Sequence, residues 1–182
     1  MAAPVALACD CGAITGRIDP SDGAHLVCFC ASCRDVVRWS GQPDPGTAGV
    51  AYFNTTPDRL TIDTGAEHLA CLTWKNRKLL RWHAACCGAP LVNTLPGPNP
   101  ATISLHLARC AAPEAFGPPR AEAFRPIRPR HRGMRGVMAG FARRALAARL
   151  SGRWRQTAFF DPDTRAPVAP VRHLTAADRA ES

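Results

Sequence analysis

The sequence predicts a mainly β protein that is braced by metal-bound cysteines and carries an Arg-rich helix in its C-terminal part. Three observations predict it: short apolar runs between turn residues, cysteines in three tight groups, and a later segment rich in proline and arginine. With 182 residues the chain can bury a core of ordinary size. We expect a zinc-binding β domain over 1–112. A linker, a helix and an irregular tail over 113–182 should pack on this domain or extend from it.

Eight runs in the first part have the length and apolar character of β-strands, and loops rich in proline and glycine separate several of them. The predicted strands are 13–18, 25–29, 50–53, 59–62, 69–74, 79–83, 91–94 and 102–107. The polar stretch 75–78 lies between two apolar runs and predicts a hairpin turn. A short helix is expected over 32–39, with Ser32 as its cap, because Asp35 follows three residues later.

The chain after residue 109 begins with a Pro-rich segment that we expect to be extended, and a helical pattern over 134–150 follows it. The apolar positions at helical spacing are Met134, Val137, Met138, Phe141, Ala145 and Ala148. Arg135 and Arg149 lie near this stripe. We favour a helix packed on the β core; a helix on a membrane surface or on nucleic acid is the alternative. Three prolines predict an irregular tail from residue 159, ending in a turn of helix after Thr175.

Positive charge is concentrated in one segment. Residues 120–155 hold 11 arginines and one acidic residue, whereas the whole chain has 23 Lys and Arg against 14 Asp and Glu. Such a cluster can mark a phosphate-rich partner. We favour a simpler explanation, in which the excess of arginine over lysine reflects genomic base composition. Contact with nucleic acid or an acidic partner through this segment is therefore the alternative function.

The sequence also indicates where the protein works. No apolar run approaches the eighteen or so residues of a membrane-spanning helix, and the first residues lack the basic start of a signal peptide. We therefore expect a cytoplasmic protein without a membrane span. In reducing cytosol, nine cysteines predict metal binding or reactivity rather than disulfides, and their odd number excludes a complete disulfide set.

Seven of the cysteines fall in three tight groups. They are Cys9 and Cys11, then Cys28, Cys30 and Cys33, then Cys86 and Cys87. Thiolates at such spacing converge on a soft cation, which in cytosol is usually zinc. Seven ligands fit one closed site of four and one site of three with an open position, so we predict two zinc ions. The compact middle trio could supply the open site, with the two distant pairs clasping the sheet. The alternatives are a single structural zinc with spare thiols, or a redox cluster.

The order of these motifs resembles the glutathione-dependent formaldehyde-activating enzyme family, which includes centromere protein V. The likeness covers about residues 7–110 and consists of C-x-C-G, then C-x-C-x-x-C-R, then a strand ending in C-G-x-P-L. The resemblance implies a β-tent fold with a structural zinc and a second zinc where glutathione is thought to bind. It also implies carbon–sulfur lyase or S-hydroxymethylglutathione synthase chemistry on a small thiol such as glutathione.

The resemblance also implies roles for individual residues. It assigns Cys9, Cys11 and Cys87 to the structural zinc, and Cys28, Cys30 and Cys33 to the reactive one. The remaining structural cysteine of the family falls on Ala84 here, so Cys86 or His83 must replace it, and we favour Cys86. The residues RW-x-A-x-CC-x-x-P-x-x-NT are similar to a related formaldehyde-activating-like family without assigned function. Arg34, next to Cys33, is the candidate cation beside the thiolates and joins the trio as a predicted catalytic residue.

Overall fold

The structure is a computed structural model that describes residues 3–74, 79–175 and 178, and its architecture is mainly β. These residues form twelve strands and two helices. The strands are β1 (Val5–Ala8), β2 (Thr15–Ile18), β3 (Ala24–Cys28), β4 (Val50–Thr55), β5 (Leu60–Thr64), β6 (Leu69–Trp74), β7 (Leu80–Ala84), β8 (Pro90–Thr94), β9 (Ile103–His106), β10 (Ala121–Ala123), β11 (His131–Arg132) and β12 (Val171–Leu174). The helices are α1 (Ala31–Trp39) and α2 (Met134–Leu150). The predicted mainly β class with an Arg-rich C-terminal helix is confirmed.

The strands form two sheets that share one apolar core. The small sheet has the order β1-β2-β5, and the large sheet has the order β11-β10-β3-β4-β9-β8-β7-β6-β12. Neighbouring strands are antiparallel except for two parallel pairs, β10 with β3 and β12 with β6. Side chains from both sheets pack in one buried cluster, for example Leu7 and Ile18 with Trp82 and Leu105. Burial of this shared apolar surface holds the sheets together.

The eight predicted strands correspond to β2 through β9, with ends that shift by one or two residues. Strand β1 is not among the predicted strands, because its run VALA is short and rich in alanine. In this strand Val5 and Leu7 are buried, whereas Ala6 is exposed, which is the alternation of a strand with one face on a core. The predicted turn at 75–78 lies outside the described residues, although β6 and β7 pair as antiparallel neighbours.

Helix α1 begins one residue earlier than predicted, and the predicted cap is wrong. Cys30 occupies the cap position with extended backbone and no side-chain cap hydrogen bond, while Ser32 lies within the first turn. The Ser32 hydroxyl instead accepts a hydrogen bond of 2.8 Å from Arg81 of β7. A tertiary contact has therefore replaced the local cap that the sequence pattern suggested.

The segment 113–182 contributes to the large sheet at both of its edges. Strand β10 pairs with β3 on one side and with β11 on the other, and β12 pairs with β6. The prediction of an irregular tail is wrong at Val171–Leu174, because these residues form β12 and Leu174 is only 1% exposed. The predicted helical turn after Thr175 falls on residues that the structure does not describe, apart from Asp178.

Helix α2 has the predicted bounds and packs against the sheet through a narrow stripe. Val137 contacts buried alanines of β3 and β10, and Ala148 packs with Trp154. Arg144 is also buried on this side and donates a hydrogen bond of 3.0 Å to the side chain of Asn54. Met138 of the predicted stripe is instead 52% exposed. Neither described helix has the length and apolar character needed to cross a membrane.

We expect Leu174→Ala to lower the free energy of unfolding by about 2–4 kcal/mol, because it removes a buried side chain from the junction of β12 and β6. Leu174 packs there with Leu72 and Trp74. Urea denaturation followed by tryptophan fluorescence measures the change. Val168→Ala, at a 52% exposed position of the same tail, is the control and should stay within about 0.5 kcal/mol of the unmodified chain. Equal stability of the two variants would show that β12 does not dock.

Candidate metal centres

Four thiols meet where the turn after β1 approaches the hairpin between β7 and β8. The Sγ atoms of Cys9 and Cys11 are 3.6 Å apart, and Cys86 Sγ lies 3.9 Å from the first and 3.2 Å from the second. With Cys87, all four sulfur atoms lie within 4.8 Å of one another. Sulfur atoms around one tetrahedral zinc are about 3.8 Å apart, given a zinc–sulfur bond of about 2.3 Å. This four-thiol group could therefore hold one metal ion.

Both turns of the four-thiol group reverse direction directly after their second cysteine. Gly12 follows Cys11 with φ of 77°, and Gly88 follows Cys87 with φ of 78°. Glycine adopts this left-handed conformation without the cost that a side chain adds. The Gly88 N–H then donates to the Ala84 carbonyl oxygen over 2.7 Å, which closes the hairpin and brings its cysteines towards the β1 turn.

The four-thiol group has a buried side and an exposed side. Cys9 is buried, whereas Cys11 and Cys86 are exposed. Burial alone would raise the pKa of Cys9, but hydrogen bonds from the Ile14 N–H and the neighbouring thiols outweigh it and lower the pKa to about 7. The thiolate is the form of cysteine that binds metal. The chain itself thus favours the metal-binding form at Cys9.

The second group is the trio Cys28, Cys30 and Cys33, at the junction of β3 and α1. Cys28 ends the strand, Cys30 occupies the cap position of the helix, and Cys33 lies in its first turn. The Sγ atoms of Cys28 and Cys30 are 3.4 Å apart, and all three sulfur atoms lie within 4.8 Å of one another. No fourth histidine, cysteine or acidic residue in the described part of the chain joins this group. The trio could therefore hold a metal ion with three protein ligands.

A buried arginine of β7 supplies positive charge to the trio. Arg81 is 3% exposed and donates hydrogen bonds to Ser32 Oγ and Asn93 Oδ1 over 2.8 and 3.2 Å. Both partners are neutral, and no described carboxylate pairs with Arg81. The pKa of Cys30 is lowered, first by the thiols of Cys28 and Cys33 and also by the Arg81 charge. The neighbouring thiols and burial instead raise the pKa values of Cys28 and Cys33, so Cys30 is the thiol of the trio that most readily supplies negative charge to Arg81.

Two neutral side chains, those of Tyr52 and His106, also lie near Arg81 and the trio. Tyr52, the single tyrosine of the chain, packs in the same buried cluster as Cys28 and Cys33. Its hydroxyl faces Cys33 but makes no hydrogen bond of good geometry, and burial raises its pKa well above the ordinary value. The ring of His106 meets Tyr52 edge-on, with centroids 4.5 Å apart, and burial lowers the pKa of this histidine to about 3. Both residues are therefore uncharged at neutral pH.

The predicted cation Arg34 has a different partner from the one expected. Its Nε and Nη2 atoms donate to the two carboxylate oxygens of Asp44 over 2.7 and 2.5 Å. This two-point pair fixes the guanidinium of Arg34 on Asp44. Arg81 is not among the predicted site residues, although it is a lone charged residue in the run LRWHA of β7. A charge in the middle of a buried strand was the signal that could have identified it.

The remaining candidate ligands lie apart from both groups. His83, the alternative to Cys86, meets the ring of Trp39 edge-on at 4.8 Å, and burial lowers its pKa. Among the residues described, it is Cys86 that joins the four-thiol group. Cys71 and Cys110 are buried outside both groups, and burial raises the pKa of each to about 12. These two thiols remain protonated and act as packing residues.

Comparison with known proteins links this arrangement to one family. A family of unknown function, DUF6151, matches residues 1–136, a span that contains all seven clustered cysteines. A crystal structure of a Rhodobacter sphaeroides protein is 20% identical and has a TM-score of 0.43, over 62% of this chain and 95% of that chain. None of the curated proteins matches this chain.

We expect protein purified with a non-thiol reductant to hold two divalent metal ions per chain, because the clustered thiols divide into four and three. Cys30→Ser should remove one ion and leave the β structure intact. Cys9→Ser should remove the other ion and unfold the β domain, since structural zinc contributes on the order of 10 kcal/mol in small zinc domains. Elemental analysis and circular dichroism measure the two effects.

His83→Ala is the control for this experiment and should retain both ions. A single ion in the reduced, unmodified protein would count against the division into two sites. Equal loss of β structure in Cys30→Ser and Cys9→Ser would show that the trio is structural as well.

Proposed function

The chain belongs to a family of unknown function, DUF6151, and we propose that it performs zinc-dependent chemistry on small thiols. In this proposal the four-thiol group holds a structural zinc, and the trio holds a second zinc that keeps one position open for an external thiol. The reaction class is that of a carbon–sulfur lyase or an S-hydroxymethylglutathione synthase. Glutathione and formaldehyde enter the proposal through the resemblance of the cysteine motifs to the formaldehyde-activating enzymes.

The observation that carries the proposal is the buried guanidinium of Arg81 beside three thiols. A divalent ion with three thiolates has a net charge of about −1, and a fourth thiolate would make it about −2. Buried charge of this size requires a counter-charge nearby. Arg81 is 3% exposed and has no carboxylate partner among the described residues, so it is available for this task. Binding of an external thiolate would add negative charge at the trio, and the buried guanidinium of Arg81 could balance that charge.

The donor set fits zinc. Three protein ligands with one open position are the pattern of a reactive zinc, and four thiolates are a pattern of a structural one. Zinc at the trio would supply Lewis acidity that keeps an incoming thiol deprotonated near neutral pH. Cys30 occupies the N-terminal cap position of α1, where the helix dipole favours a thiolate. Tyr52 and His106 stay uncharged and add no repulsion.

The proposed reaction joins or separates sulfur and carbon. In the forward direction the thiolate sulfur forms a bond to the carbonyl carbon of formaldehyde, the π electrons of the carbonyl move to oxygen, and the oxygen takes up a proton. The product is an S-hydroxymethyl thioether. The reverse reaction removes that proton and breaks the carbon–sulfur bond. Both directions need a thiolate that stays reduced, which supports a cytoplasmic location.

The alternative function, contact with nucleic acid through residues 120–155, has weaker support. Several arginines of this segment pair within the protein: Arg125 with Glu122, Arg143 and Arg144 with Asp22, and Arg153 with Asp58. Arg155 lies over the ring of Trp154, with 4.4 Å between the guanidinium carbon and the ring centroid. The paired cations are less available for phosphates, so the basic segment offers less charge than its composition suggests.

A thiol titration of cobalt-substituted protein tests the proposed function. Cobalt replaces zinc in thiolate sites and reports its sulfur ligands by their charge-transfer absorption. We expect glutathione to increase this absorption, with one equivalent saturating the trio, while S-methylglutathione has no effect. Cys30→Ser should abolish the change and retain the signal of the four-thiol group. An unchanged spectrum at saturating glutathione would exclude an open site.

Arg81→Met tests the role of the buried cation. We expect the affinity for glutathione to fall at least about tenfold, since a hydrogen-bonded charge contributes about 1.5–3 kcal/mol. The control is Arg34→Gln, which should stay within about twofold because its guanidinium is already paired with Asp44. The cobalt titration measures both variants, and metal analysis verifies that each retains two ions. A larger effect of Arg34→Gln than of Arg81→Met would assign the cation role to Arg34.

A further inference from the structure

A basic cavity lies between the loop joining β10 to β11 and the chain around α1. Its volume is about 480 Å³, which is within the range of small-molecule sites. The side chains that matter here are those of Phe29, Arg34, Phe124, Arg125, Arg128 and Arg130. None of the seven clustered cysteines lines this cavity. Any ligand it binds is therefore recognised by groups other than the metal ligands.

Part of the positive charge at this cavity is already neutralised within the protein. Arg34 pairs with Asp44, and Arg38 pairs with both Asp44 and Asp35, so two cations meet two carboxylates. The Arg125 Nε atom lies 2.8 Å from the carboxylate of Glu122. These pairs hold the walls of the cavity in place and neutralise the charges of Arg34, Arg38 and Arg125.

Two further arginines line the cavity without such an ion pair among the described residues. The side chains of Arg128 and Arg130 line the cavity, and within the described residues neither makes a hydrogen bond or an ion pair. Both are exposed. The cavity therefore has a surplus of about two positive charges. A dianionic oxyanion matches this surplus best, because its oxygen atoms accept paired hydrogen bonds from the guanidinium groups. A phosphate monoester has nearly this charge at neutral pH.

The loop that carries these two arginines is held in a defined shape. The Arg125 N–H donates to the Arg130 carbonyl oxygen over 2.9 Å, and Arg125 Nη1 donates to the Pro129 carbonyl oxygen over 3.2 Å. At the start of the loop, Phe124 has φ of 56° and meets the ring of His131 edge-on at 4.9 Å. A bulky residue in left-handed backbone is costly, and such strain is concentrated at ligand-binding and catalytic sites.

Phe124 also shows which kind of ligand the cavity suits. Its ring is 46% exposed although it lines the cavity, and Phe29 supplies a second aromatic side chain. The anionic group of a ligand could contact the two guanidinium groups. The exposed ring beside them could then pack on the organic part of the same ligand. The concave shape and the single pair of free charges favour one small dianion over a nucleic-acid strand, which needs a continuous track of cations.

We propose that this cavity binds a small phosphate monoester, with Arg128 and Arg130 on the phosphate and Phe124 on its organic group. The site depends on the loop between β10 and β11 and not on a metal ion. No cysteine of the trio lines it, although its residues Phe29 and Arg34 are sequence neighbours of those cysteines.

Calorimetric titration of the full chain with phenyl phosphate tests the proposal. We expect one binding site, and an affinity at least about tenfold lower in the double variant Arg128→Gln/Arg130→Gln, since each charge-assisted hydrogen bond contributes substantially. The matched control Arg135→Gln/Arg149→Gln removes the same charge outside the cavity and should bind like the unmodified chain. Phe124→Ala should weaken phenyl phosphate while leaving inorganic phosphate nearly unchanged.

Charge matching gives a second measurement. The methyl ester of phenyl phosphate keeps the ring but has one negative charge, so it should bind about tenfold more weakly. Affinity for phenyl phosphate should also fall as the pH drops below about 6, where the monoester takes up a proton. Equal loss of affinity in both double variants would overturn the proposal. Tight, salt-dependent binding of an oligonucleotide without binding of phenyl phosphate would overturn it as well.

Discussion

The buried charge of Arg81 is the constraint on which the reactive region depends. A guanidinium that is removed from water must be compensated, and this one has neutral hydrogen-bond partners from α1 and β8 and no described carboxylate. The neighbouring thiols and the Arg81 charge both lower the pKa of Cys30 at the start of α1, so this thiol can supply the compensating negative charge. Because Arg81 itself projects from β7, the requirement links the large sheet to the helix that Cys30 caps. The hydrogen bond from Arg81 to the Ser32 hydroxyl is part of this link and accounts for the absence of the predicted Ser32 cap.

The two cysteine groups differ in where they lie and in what surrounds them. The four-thiol group joins two surface turns, each with a glycine in the left-handed region, and it fastens the β1 turn to the β7–β8 hairpin. The trio lies at the end of a strand and the start of a helix, with the cation Arg81 and the uncharged Tyr52 and His106 nearby. Four donors close a coordination shell, whereas three leave a position open. The difference in donor number and electrostatics supports separate structural and reactive roles.

Arginine content is a poor guide to available charge in this chain. Four arginines of the basic segment are engaged by acidic residues of the protein, and Arg144 is buried against Asn54. The pairs of Arg143, Arg144 and Arg153 attach α2 and the following turn to loops of the β domain, whereas Arg125 pairs locally with Glu122. Arg128 and Arg130, which look the same as the others in the sequence, lie in a braced loop without such partners. Only the packing of the chain distinguishes the structural arginines from the two that face a cavity.

Local sequence patterns determined most of the elements and the grouping of the seven thiols. Apolar runs of strand length gave β2 through β9, helical spacing gave the bounds of α2, and the short distances between cysteines gave the sets of two, three and two. These features depend on near neighbours in the chain, so the sequence contains them directly. Tertiary structure alone decided that β10 and β12 join the large sheet, because their backbone partners β3 and β6 are far away in sequence. It also decided that Arg81 is buried near the trio whereas Arg34 pairs with Asp44, because a strand residue and a helix meet only after the chain has folded.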